Sequence, residues 1–229
     1  MLSVTTTDGL RTITLRRPEK RNALTLELRL QFADELRAAA AAGDVAATIV
    51  TGEGSAFCAG FDMTQFGGDD ANRRAIVETT EAFFDALVEH PKPLIAAVNG
   101  PAVGGGFALA LLSDLRLASE TATFGFSQVR RGIPPSYAAA RAVLPPALAR
   151  ELCLTGRMLD AREALAVGLA SSVVSDEELL ARARAMASEL APPNVTGLVK
   201  RLAHAEADRS WLALLEAEKS ALRTGVLGE

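Results

Sequence analysis

The chain alternates short apolar runs with longer amphipathic stretches. Leu10 to Arg16 carries T-I-T-L at its centre, a period of two that predicts a half-buried strand, and Pro18 ends it. From Thr25, a residue suited to cap a helix, the apolar positions Leu26, Leu30, Phe32, Ala33 and Leu36 recur at helical spacing until Gly43. Val45 to Thr51 reads as a continuous apolar strand and Gly52 to Gly60 as a glycine-punctuated loop. Arg73 to Glu89 then predicts an amphipathic helix with Ile76, Phe83, Phe84, Leu87 and Val88 inward, and Pro91 and Pro93 frame its exit. Leu94 to Val98 is a second apolar strand, the glycines at 104–106 open a helix that runs to about Leu112, and Leu115 to Ala118 is a third strand.

Strand and helix in alternation mean an α/β fold. After Phe124 the pattern turns helical: Tyr137 to Val143, Ala147 to Leu154, Ala161 to Val167, Asp176 to Leu190, Asn194 to Ala207 and Trp211 to Arg223. No Ser/Gly linker or charge block separates the halves. The expected organisation is one α/β core over residues 1–174 and a helical C-terminal region over 175–229.

Composition removes several classes of function. With 49% hydrophobic and 23% charged residues the chain is globular rather than disordered. A net charge of −4 offers no basic field for a phosphate backbone, so nucleic acid is not an expected partner. Between Lys92 and Asp114 no charged residue occurs, a length able to span a bilayer, yet Pro93, Asn99, Gly100, Pro101 and the glycine triplet divide it. No membrane span is expected. The two cysteines, Cys58 and Cys153, and an N-terminus of threonines with Asp8 fit a cytoplasmic protein better than a secreted one. His90 and His204, without a Cys-x-x-Cys pair, are too few for the common metal sites, so no metal is expected.

Two glycine-bearing turns follow apolar strands: T-G-E-G-S-A-F-C-A-G-F-D-M at Thr51 to Met63, and N-G-P-A-V-G-G-G-F at Asn99 to Phe107. Backbone N–H groups at a helix start lack intrahelical acceptors and favour negative charge. If one N–H from each loop meets at a point, the pair is an oxyanion hole for a carbonyl that gains charge. The alternative is a pair of ordinary turns in which glycine supplies unusual φ or close packing. Neither loop carries G-x-x-x-x-G-K-[ST] or G-x-G-x-x-G, and no G-x-S-x-G elbow occurs, which argues against nucleotide and triad hydrolases. Cys58, with no evident base, reads as a small buried residue.

These residues carry a resemblance. R-P-E-K-R-N-A-L at Arg17 to Leu24, I-V-T-G-E-G-S-A-F-C-A-G-F-D at Ile49 to Asp62 and K-P-L-I-A-A-V-N-G-P-A-V-G-G-G at Lys92 to Gly106 are similar to the enoyl-CoA hydratase/isomerase (crotonase) superfamily. S-D-L-R-L-A-S at Ser113 to Ser119, F-G at Phe124 and Gly125, and L-T-G-R-M-L-D-A-R-E-A-L-A-V-G-L-A at Leu154 to Ala170 continue the likeness over nearly the whole chain. The resemblance implies a crotonase-like spiral of β-β-α units with a helical C-terminal trimerisation region, a homotrimer or dimer of trimers, and an acyl-CoA thioester as ligand. No separate cofactor is implied, since coenzyme A arrives as part of the substrate. The N–H groups of Phe61 and Gly105 would form the oxyanion hole. CoA would lie along Ala23, Ala59, Phe61, Asp62, Met63, Thr64 and Gly105, with Arg21 facing its phosphates or, in the plainer reading, standing as a solvated charge.

The departures bear on the reaction. Hydratases of this family carry a glutamate three residues after the middle glycine of the triplet and another shortly after the F-G pair, positions that here hold Ala108 and Gln128. Neither residue exchanges a proton usefully, whereas a positioned acid or base is worth about 10² to 10⁴ in rate. Gln128, Ser136 and Tyr137 are the candidate stand-ins, although a serine before a helix reads equally as an N-cap and a lone tyrosine as a packed ring. Asp62 is expected to shape its loop, and Glu78, Glu81 and Asp85 to form a solvated face. Residues Thr224 to Glu229 lack the tail E-G-x-x-A-F-x-E-K-R common in the family, so part of the cover over the CoA end is expected to be missing or supplied by a neighbouring subunit.

Overall fold

The computed structural model describes residues 1–207 and 211–227; the side chains of 204–212, His204 among them, and residues Gly228 and Glu229 lie outside the description. The chain enters through a hairpin that the alternation of apolar residues did not reveal. Strand β1 (Leu2–Thr7) pairs antiparallel with β2 (Leu10–Leu15) across Asp8 and Gly9. Both turn residues have positive φ, 51° and 74°, the turn chemistry that Asp-Gly favours between twisted strands.

From β2 onward the backbone repeats one motif. Each turn supplies a strand to a large sheet, a short extended segment to a second layer, and a helix that returns across both. The first turn is β2, the bridge residue Leu24 and α1 (Leu26–Ala41). The second is β3 (Ala47–Gly52), the segment from Cys58 to Phe61 and α2 (Asp70–Glu89). The third is β4 (Leu94–Val98), β5 (Ala102–Val103) and α3 (Gly105–Leu112), and the fourth is β6 (Leu115–Ser119), β7 (Thr123–Gly125) and α4 (Tyr137–Val143). Helix α5 (Pro146–Thr155), strand β8 (Met158–Asp160), α6 (Ala161–Ala166) and β9 (Ser172–Val174) follow, then α7 (Leu179–Ser188), α8 (Pro193–Ala207) and α9 (Trp211–Leu227).

The large sheet runs β1-β2-β3-β4-β6-β9 and is parallel after its first pair. Leu24 bridges Phe61, Cys58 bridges Ala102, β5 pairs with β7 and β7 with β8, so the short segments line up as a second layer. A spiral of β-β-α units results. Strands β3 and β4 are buried on both faces, as continuous apolar runs in a covered parallel sheet should be. One face meets the main core of Leu15, Leu28, Phe32, Phe57, Phe83 and Phe107; the other packs Ile49, Ile95 and Leu117 against Leu179 and Ala183 of α7.

Helix α1 is rotated from the expected register. Thr25 caps it, accepting from Leu28 N–H at 3.0 Å, but the buried stripe is Leu28, Arg29, Phe32, Ala33 and Leu36, while Leu30 is 42% exposed. The reason is α2, which packs across α1 and takes Arg29 inward. Helix α2 begins at Asp70, earlier than expected, because Asp69 accepts from Asn72 N–H at 2.9 Å. The expected helix from Asp176 shortens to Leu179–Ser188, its first residues spent on a turn in which Ser175 Oγ donates to Glu178 at 2.8 Å.

The C-terminal helices are fastened by charge. Lys200 of α8 donates to Asp114 at 2.7 Å and to the Lys92 carbonyl at 2.9 Å, and Asp114 also accepts from Leu94 N–H. On α9, Lys219 meets Asp85 and Arg223 meets both oxygens of Glu81, so the acidic face of α2 serves as a docking edge. Among the described residues no helix is long and apolar enough to cross a membrane, and no group of His, Cys, Asp and Glu could hold a metal ion.

His90, buried where α2 ends, is pushed down to about 4 by burial and by the neighbouring charges of Lys200 and Lys92. The folded chain thus holds a neutral imidazole where the unfolded chain takes up a proton near 6.5. Its contribution is complete above about pH 6.5, is lost as pH falls toward 4, and levels off below, a change of about 3 kcal/mol. Urea unfolding at pH 7 and pH 4.5 should show that loss, and His90→Met should reduce the difference between the two pH values.

Candidate active site

The site begins with a turn. The 3-10 turn Pro18–Lys20 ends with Arg21 and Asn22 both at positive φ, which points the Asn22 side chain inward. Fully buried, Asn22 accepts from Arg17 N–H at 2.9 Å and donates to the carbonyls of Glu53 at 3.0 Å and Ala56 at 2.8 Å. Asn99 grips the same loop from the other side, accepting from Gly52 N–H at 3.0 Å and donating to the Gly54 carbonyl at 2.9 Å. Two asparagines therefore fix the loop that leads to Cys58.

Residues 58–62 then thread between two neighbours. Cys58 N–H donates to Pro101 and Val103 N–H donates to Cys58, while Ala59 N–H donates to Arg21, Leu24 N–H to Gly60 and Asp62 N–H to Leu24, all between 2.8 and 3.1 Å. The Gly60 carbonyl faces Leu24, so the N–H of the same trans peptide, that of Phe61, projects to the opposite side. That side holds the second loop. Gly60 sits at φ +91°, and a Cβ there would lie 2.7 Å from the Val103 carbonyl oxygen and 3.1 Å from Gly105 N. Gly104 N–H is taken by the Gly125 carbonyl at 3.0 Å, but Gly105 opens α3 and its N–H has no helical acceptor. Neither the Phe61 nor the Gly105 N–H has an acceptor among the described residues. The two loops converge.

Side chains frame this point. The Phe61 ring lies against Gly105, where a Cβ would come within 2.8 Å of it, and meets Phe83 and Phe84 edge-on at centroid distances of 6.1 and 6.3 Å. Over the ring stands Arg29, its guanidinium carbon 4.4 Å from the centroid, a contact worth about 0.5 to 2 kcal/mol. Burial lowers Arg29 to about 10, which leaves it charged at neutral pH. Asp62 binds Thr64 Oγ1 at 2.7 Å and Arg17 at 3.0 Å, and the Thr64 hydrogen bond first, then Arg17, hold its carboxyl below the usual range.

The remaining candidates separate into two places. Gln128, on a 3-10 turn after β7, is at the loops: its Oε1 lies 3.3 Å from the position of a Cβ on Gly104 and is buried without a hydrogen-bond partner among the described residues. Ala108 is a buried methyl on α3. Arg21, Met63 and Thr64 are exposed, Ala23 and Ala59 half-buried, along one rim. Ser136 instead caps α4, accepting from Ala139 N–H at 3.2 Å and donating to Glu218 of α9 at 2.8 Å, and Tyr137 packs on the main core. Glu218 also accepts from Ala138 N–H at 2.6 Å, and burial raises its carboxyl above the ordinary value. Cys58, its thiol pushed up to about 12 by burial, donates to the Asn22 carbonyl. Sequence reasoning missed Arg29 and Glu218. A stripe drawn through Leu26 and Leu30 put Arg29 outside, and nothing local announces that Glu218 meets a helix 80 residues earlier.

The family model of enoyl-CoA hydratase/isomerase matches residues 5–225. The chain belongs to that family. Among enoyl-CoA hydratase/isomerase relatives, a 2,3-dehydroadipyl-CoA hydratase of Escherichia coli is 32% identical over 220 residues, covering 95% of this chain and 82% of its own. A 4-chlorobenzoyl coenzyme A dehalogenase of Arthrobacter is 35% identical over 210 residues, 87% of this chain and 76% of its own. The crystal structure of an enoyl-CoA hydratase from Mycobacterium avium superposes with a TM-score of 0.81 at 33% identity, covering 97% and 96% of the two chains. The enoyl-CoA hydratase/isomerase family thus accounts for the crotonase fold of this chain.

Asn22→Ala leaves the Glu53 carbonyl and the Arg17 N–H without their partner and the Ala56 carbonyl with only the longer bond from Asn99 at 3.3 Å. Chemical denaturation should find the variant about 3 kcal/mol less stable.

Proposed function

We propose that the chain binds an acyl-CoA thioester, receives the thioester oxygen between the N–H groups of Phe61 and Gly105, and stabilises the enolate that forms there. The observation that carries this reading is two neighbouring backbone donors, from loops some forty residues apart, with no acceptor among the described residues. A carbonyl oxygen gaining negative charge suits such a pair, and each donor of this kind is worth about 10² to 10³ in rate. On the same reading CoA follows the rim of Ala23, Ala59, Asp62, Met63 and Thr64, the exposed Arg21 meets its phosphates, and no further cofactor or metal takes part.

The reaction class follows from what the donors are paired with. Ala108 offers a methyl and Gln128 a carboxamide, so neither of the two usual carboxylates is present to deprotonate water and protonate the α-carbon. Decarboxylation, which places the electron pair on the thioester by breaking the bond to a carboxylate and releasing carbon dioxide, suits the site; retro-aldol cleavage, which must give up the hydroxyl proton, and isomerisation need a proton carrier other than these two positions. Gln128 then serves as a hydrogen-bonding side chain toward the acyl group. Ser136 and Tyr137, engaged with α9 and the core, have a supporting place in this scheme.

A second reading, an acyl-CoA-binding protein with reduced catalysis, is favoured by the same Ala108 and Gln128. Incubation with a panel of CoA thioesters, followed by mass spectrometry and thermal-shift measurement, decides between the two. New products are expected; binding without turnover supports the second reading, and neither binding nor turnover refutes both. Gly105→Pro removes one donor at the first helical position, where proline is tolerated, although the Phe61 ring must turn to admit it. Turnover in the folded variant should fall by about 10² to 10³.

We also infer a homotrimer or a dimer of trimers. Helix α8 exposes Val195, Leu198, Val199 and Leu202, an apolar stripe at helical spacing that a second copy would cover. Light scattering after size exclusion should find the wild type oligomeric and Leu198→Glu/Leu202→Glu shifted toward the monomer.

A further inference from the structure

The structure assigns Arg29 to a carboxylate at the far end of the acyl group, so that the thioesters this site prefers are monothioesters of dicarboxylic acids. The assignment rests on the acyl-CoA reading above. Arg29 is fully buried on α1, and among the described residues no acidic side chain makes an ion pair with it. Nη1 is engaged, donating to Thr80 Oγ1 at 2.8 Å and the Ile76 carbonyl at 3.3 Å. Nε and Nη2 have no partner among the described residues. Those two nitrogens form the side edge of the guanidinium, where two parallel N–H groups match the two oxygens of a carboxylate.

The neighbours make the vacancy specific. Thr80, Ile76 and Phe61 are neutral, and the nearest acid, Asp62, already holds Arg17 and Thr64 and reaches Arg29 only through its field. Buried charges are as a rule paired, and leaving this one unpaired is costly to the ligand-free fold. Its place explains what would pair it. The Phe61 ring touches both Gly105, where a Cβ would come within 2.8 Å of it, and the guanidinium, 4.4 Å from its centroid, so one aromatic ring links Arg29 to Gly105. For an acyl chain of a few carbons whose carbonyl sits at Gly105 to bring its distal end to the free edge of Arg29, the Phe61 ring turns aside and gives up its place. A carboxylate meets the free edge of a guanidinium with two charge-assisted hydrogen bonds, which a ring face does not supply.

The test compares succinyl-, glutaryl- and adipyl-CoA with the neutral butyryl-, valeryl- and hexanoyl-CoA by calorimetric titration of the full chain. The wild type should bind at least one carboxylated thioester about tenfold or more tightly than its neutral counterpart, and Arg29→Met should lower that ratio about tenfold or more. Arg29→Lys, which keeps the charge and loses the fork, should give an intermediate ratio. Removing an unpaired buried charge should leave the melting temperature of ligand-free Arg29→Met equal to or above that of the wild type. Equal affinities for both series in the wild type, or a ratio that Arg29→Met does not change, overturns the assignment while leaving the thioester site intact. Binding of neither series overturns both readings together.

Discussion

The site depends on a backbone approach closer than side chains permit. Gly60 and Gly105 meet where a Cβ on the first would crowd both the Val103 carbonyl and the Gly105 nitrogen, and a Cβ on the second would enter the Phe61 ring. Two consequences follow from that one constraint. The peptide before Phe61 is locked by Leu24 on its carbonyl side, which fixes the direction of the opposite N–H, and α3 begins at the residue the loop presses against, which leaves its first N–H groups without helical acceptors. Backbone donors held this way need no reorganisation when charge develops in front of them.

The asparagines extend the same logic outward. Asn22 and Asn99 do not touch the two donors, yet between them they bind three of the carbonyls and one N–H of the loop at 52–56. The stretches R-N-A-L and V-N-G are therefore structural fastenings of the glycine-bearing loop. In S-D-L-R-L-A-S the charges do similar work: Asp114 joins Leu94 to Lys200, and Arg116, held by the carbonyls of Ser113 and Leu169, satisfies the end of α3.

Much of the fold was legible because it rests on local chemistry. Thr25 capped its helix as its position suggested, and Leu94 to Val98 formed a doubly buried strand because a continuous apolar run has no other way to sit in a covered sheet. Strand β1 shows the opposite case: its threonines carry no strong period, and only the Asp8-Gly9 turn marks it as half of a hairpin. The short strands β5, β7 and β8 hold two or three residues each, too few for any periodicity. Helix α1 shows the deeper limit. A stripe through Leu26 and Leu30 and one through Leu28, Arg29 and Phe32 are both consistent with helical spacing, and only the tertiary crossing with α2 selects the second. Glu218 was invisible on the same ground, since its partners lie on another helix.

The balance of what is kept and what is replaced bears on the chemistry. An oxyanion donor and a positioned acid or base contribute comparable factors, about 10² to 10³ and about 10² to 10⁴. On the proposed reading, a site with both donors but with Ala108 and Gln128 in place of carboxylates would retain the part that lowers the energy of an enolate and lack the part that moves protons to and from water. On the proposed reading a substrate that loses carbon dioxide loses least by that exchange, because the departing carboxylate delivers the electron pair and the protein is spared the first proton transfer. The buried Gln128 oxygen beside Gly104 fits the same proposal: an amide that does not titrate keeps its hydrogen-bonding capacity, so it would orient an acyl group without competing for its proton.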